Sequence, residues 1–186
     1  VEAGLLVIEN SLSISDTSTL VLSDISGSGE LDINDAMLTV NSIVGSSITA
    51  TSTNNAVKSV DALSASLTDG FTSVGARVEI DDLNVSSNMT LGINGATESL
   101  LSSNIIVVGG DLTLNDGTQV SETESITVTG TFNINDTVTV DGRESTVTDL
   151  YSLAITAPTL QIASGASVRA NGTGYLANVD NNNGYK

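Results

Sequence analysis

The chain has 186 residues, with 22 Asp and Glu against 5 Lys and Arg, a formal charge of −17, no Cys or His, and 3% aromatic residues. Nucleic acid and anionic membrane surfaces both call for Lys/Arg clusters, so this charge balance argues against them. Without His or Cys there is no Ser-His nucleophile pair and no imidazole or thiolate to hold zinc or a redox metal. Hydrophobic content of 39% sets the chain apart from a disordered acidic tail. No run approaches the ~20 apolar residues of a membrane span.

The sequence starts at Val1 rather than Met, which leads us to expect either a processed, secreted product or a piece cut from a longer precursor. An aliphatic opening, Leu5–Ile8, is a candidate sticky edge. A five-residue phrase then recurs: apolar, any, apolar, and a closing pair of Ser/Asn/Asp type. Its first copies are Leu12–Asp16, Leu20–Asp24 and Leu31–Asp35. Each alternates with period two and stops at a turn former, the signature of a short half-buried strand running into a corner. The close spacing of these three copies reads as successive faces of one coil.

Residues 46–70 break the pattern and read as an insertion or cap, with a short helix over Ala56–Leu67. The phrase resumes at Val78–Asp82 and Leu91–Gly95. The strongest self-match follows, at an offset of 20 residues. Ile106, Val108, Gly110, Leu112, Leu114, Asn115, Asp116 and Val120 align with Ile126, Val128, Gly130, Phe132, Ile134, Asn135, Asp136 and Val140. Leu160, Ile162 and Val168 continue the series 28 residues later, the excess falling in a polar corner loop at 141–149.

A period near 20 predicts an all-β parallel β-helix, a β-solenoid with coils of about 20 residues. The organisation expected is one solenoid over 1–177, then an Asn/Gly-rich tail over 178–186. Equivalent positions would stack one strand spacing apart, so Asn94, Asn115 and Asn135 would form an asparagine ladder. The rival is an immunoglobulin-like β-sandwich, which usually wants a buried aromatic anchor; this chain has no Trp and two Phe.

One segment carries metal chemistry on paper. Asp24–Asp35 fits a twelve-position calcium loop, with Asp24, Ser26, Ser28, Glu30, Asp32 and Asp35 as oxygen ligands and Gly29 at the sharp turn. With Ala36–Gly45 as an exiting helix, it resembles one half of a dockerin-type calcium repeat. Ser stands where carboxylates are usual at two positions, Asp replaces the bidentate Glu, and no second loop follows. The same letters also read as strand, Gly-rich corner and strand, and that reading is preferred. No cofactor is required by anything else in the sequence.

Two further stretches carry a family resemblance. Ile25–Val40 (ISGSGELDINDAMLTV) is similar to the Gly-Ser-rich strand phrase of autotransporter passengers. Leu160–Tyr175 (LQIASGASVRANGTGY) is similar to a phrase of giant repeat adhesins and filamentous-haemagglutinin-like proteins. The resemblance implies a right-handed parallel β-helix, secretion, and a role in adhesion or surface structure. The function expected is therefore an extracellular, non-enzymatic adhesin shaft or self-assembling filament or sheath subunit. Its expected partners are other copies, other parts of a larger surface protein, or a carbohydrate or protein receptor. The alternatives are a calcium-dependent binding module of a cell-surface complex and a polysaccharide-processing β-helix. The last would need clustered carboxylates beside basic residues, whereas Arg77, Arg143 and Arg169 are scattered along the sequence.

Overall fold

A computed structural model describes residues 3–54, 58–92, 98–135, 137–143, 151–164 and 166–169. These form twenty strands and no helix. Every strand pairing among the described residues is parallel, which rules out the sandwich and gives a β-solenoid.

Eight strands, one per coil, make the first sheet: Ser11–Ser15, Glu30–Asn34, Ser47–Thr51, Phe71–Val74, Met89–Leu91, Leu112–Leu114, Thr131–Ile134 and Thr159–Ile162. Alternation sends two residues of each strand inward. One inner column runs Leu12, Leu31, Ile48, Phe71, Met89, Leu112, Phe132, Leu160. The other runs Ile14, Ile33, Ala50, Ser73, Leu91, Leu114, Ile134, Ile162. The outward column between them is short and polar, including Thr49, Thr72, Thr90 and Thr113 in four successive coils.

The second sheet has twelve strands and two arms. Four long strands, Thr19–Gly27, Met37–Gly45, Lys58–Leu67 and Arg77–Val85, cross both arms without a break. Each bends where two consecutive residues face outward: Ser23-Asp24, Asn41-Ser42, Leu63-Ser64 and Asp81-Asp82. In later coils the bend lengthens and the strand divides, so Arg77–Val85 pairs with both Ser99–Ser102 and Ile105–Val108. The hydroxyls of Ser103 and Thr123 turn into this wider corner, almost fully buried, and donate to backbone carbonyls. Arm one buries Leu38, Val60, Val78, Leu101, Val120 and Val140 in register; arm two buries Ile25, Ile43, Ala65, Leu83, Ile106 and Ile126. Together with the first sheet they enclose one continuous aliphatic core.

The 20-residue repeat and the 28-residue step both hold as direct pairings: Leu112 with Phe132, Ile106 with Ile126, Val120 with Val140, and Phe132 with Leu160. Several expectations need correction. The helix over Ala56–Leu67 is instead strand Lys58–Leu67, an ordinary member of the stack, and Ala36–Gly45 is strand Met37–Gly45 rather than an exiting helix. The reason is common to both. The outward pair at the bend shifts the phase, so inward residues fall at 60, 62, 65 and 67, a spacing that mimics a helical face. The phrases Leu20–Asp24 and Val78–Asp82 end in those bends rather than in turns.

At Leu91–Gly95 the inferred register is two residues off. A ladder through Asn94 and Asn115 would set Leu91 beside Leu112; Leu91 pairs instead with Leu114, and Met89 with Leu112. Asn94 itself, most of the 141–149 loop and the tail at 178–186 lie outside the described residues.

Candidate functional site

After the first-sheet strands of the first three coils the chain turns one shared corner. Ser15 and Asn34 are paired, and each is followed by an aspartate in the left-handed region, Asp16 at φ 58° and Asp35 at φ 47°. Thr17 follows at φ 59°, a costly conformation for a β-branched residue. Backbone bonds hold the turns in a stack: Thr17 N–H donates to Asp35 O at 2.9 Å, and Asp35 N–H to Thr51 O at 3.0 Å.

The Asp35 carboxylate is fixed from the coil above. Its Oδ1 accepts from Thr53 N at 2.7 Å, Thr53 Oγ1 at 3.0 Å and Ser52 Oγ at 3.0 Å. These bonds, the Thr53 N–H first among them, hold Asp35 below the usual carboxylate range. The corner opens into a groove of about 510 Å³ whose lining includes Asp16, Asp35, Thr53 and, as apolar floor, Ala36 and Met37. Ser59 also lines it. This residue sits where the register of Lys58–Leu67 slips by one against Arg77–Val85, a bulge that leaves both Ser59 and Val60 buried.

The six residues of the twelve-position loop are spread along a strand, a corner and a second strand. Asp24 sits at the bend of the second sheet, where its Oδ1 accepts from Ser42 Oγ at 2.6 Å. Ser26 is further along the same strand, and Ser28 is in the corner. Glu30 and Asp32 are exposed on the outer face of the first sheet, while the residues between them, Leu31 and Ile33, point into the core. Asp35 belongs to the corner groove. Gly27 and Gly29 have a packing role, since a Cβ on Gly27 (φ +132°) would stand 2.0 Å from Ile8 O on the coil below. Among the described residues no three carboxylates, imidazoles or thiols are grouped closely enough to share an ion.

Two charged clusters lie elsewhere. On arm one, Lys58 contacts Glu79 and reaches Asp61 at 3.5 Å, and Arg77 donates to Glu79 at 2.8 Å. Burial alone would raise Glu79, but the hydrogen bonds and charges of Lys58 and Arg77 outweigh it and hold the carboxyl low; the bond to Glu79 raises Lys58. At the widened corner, Arg143 donates to Glu124 at 2.8 Å, and its guanidinium lies 4.3 Å from the Tyr151 ring centroid. This clamp joins the two sides of the long coil.

The asparagine ladder is present for the pair in register. Asn135 Nδ2 donates to Asn115 Oδ1 at 3.1 Å, and Asn115 Nδ2 to Gly92 O at 3.0 Å. A second ladder went unread in the sequence. Asn88 Oδ1 accepts from Asp111 N at 2.8 Å, and Asp111 Oδ1 from Thr131 N at 2.7 Å, each side chain holding the backbone of the next coil. Asp16 also went unread as a site residue, although it closes LSISD as Asp35 closes LDIND, 19 residues on. Ser59 gave no signal, because a bulge has no sequence periodicity.

No family model matches the chain, and no curated protein or solved structure is significantly similar to it.

Proposed function

We propose that this chain is a non-catalytic structural element of a cell surface, a β-solenoid rod that serves as an adhesin shaft or as a subunit of a surface filament. The reading rests on one observation: eight rungs stack in unbroken register, with aliphatic columns inside and short hydroxyl, amide and carboxylate side chains outside. Such a stack is stiff along its axis, because each coil is tied to the next by a parallel hydrogen-bond ladder. A surface with few basic groups and a charge of −17 keeps the rod soluble and repels anionic surfaces.

Secretion and a self-association or shaft context are part of this reading, in line with the resemblance of Ile25–Val40 and Leu160–Tyr175 to secreted β-helical shafts. The inward-facing Leu160 and Ile162 of strand Thr159–Ile162 are half exposed, an apolar, strand-borne surface of the kind on which a further coil packs. Negative-stain electron microscopy and sedimentation velocity over rising concentration test the proposal. Isolated rods one solenoid wide, or filaments of that width, are expected. Compact particles that depolymerise acidic polysaccharides would replace it with an enzymatic reading.

A further inference from the structure

We draw no further inference here: the strongest candidate, the outer face of the first sheet where Thr49, Thr72, Thr90 and Thr113 stand in one row across four coils, is a stripe of small hydroxyl side chains, and nothing in the structure shows what covers it.

Discussion

Ser73 stands in an otherwise aliphatic inner column, between Ala50 and Leu91, 1% exposed and with its hydroxyl unpartnered among the described residues. An orphaned buried hydroxyl costs stability that a methyl in the same place does not. Ser73→Ala should therefore raise stability by about 1 kcal/mol, read as a higher urea midpoint at unchanged slope.

The carboxylates of Glu79 and Asp35 make opposite demands on pH from Lys58. Both acids lie below their ordinary values of 4.5 and 3.8. Their contribution to stability is thus complete above those values and is lost as pH falls through the lower folded ones. Lys58 lies above 10.5, so its contribution is complete below that value and fades as pH rises through the folded one. Glu79→Gln should lower the plateau of a stability-against-pH curve and flatten both limbs, the acid one because the carboxylate is gone and the alkaline one because Lys58 loses its partner.

At single residues, the preferred reading of Asp24–Asp35 as strand, corner and strand is the one the fold shows. Asp24 and Asp32 carry the right atoms for one ion, but a strand directs them to the surfaces of two different sheets. Spacing alone could not distinguish a loop that converges on a point from a strand that spreads its side chains apart.

Among the elements, those with strict alternation and direct repeats were legible. The strands Leu112–Leu114 and Thr131–Ile134, and their Asn115–Asn135 rung, follow from the 20-residue match. Illegible were the long bent strands, whose two outward residues disturb the period, and the position of Met89, which alternation cannot separate from Leu91 two residues on. The groove was half legible: the twin aspartates are in the repeat, but the bulge that buries Ser59 arises from the pairing of two strands.

Phe132, fully buried between Leu112 and Leu160, tests how far a defect spreads. Phe132→Ala should cost about 3–5 kcal/mol. In a stack where each coil meets only its neighbours, the loss should appear as faster amide exchange in Leu112–Leu114, Thr131–Ile134 and Thr159–Ile162, with the first coils little changed.

Taken whole, the molecule is a stack of near-equivalent coils whose stability is a sum of neighbour terms. Its excess of negative charge opposes compaction, and it is screened over about 8 Å at 0.15 M salt. The thermal midpoint should accordingly rise with NaCl between 10 and 300 mM, roughly, in a scan with buffer and pH held constant. A midpoint independent of salt would show that the surface charges are already compensated locally. The overall class was readable because solenoid coils differ little from one another, so the repeat survives in the letters even where single registers do not.

The bends have one more consequence. Successive first-sheet positions are separated by 19, 17, 23, 18, 23, 20 and 28 residues, yet the columns stay aligned. In a flat sheet an inserted residue would turn every later side chain inside out. Here each corner resets the parity, so such an error is quarantined within one arm of one coil. A gene encoding this molecule can gain or lose codons at its corners while the reading of inside and outside downstream survives.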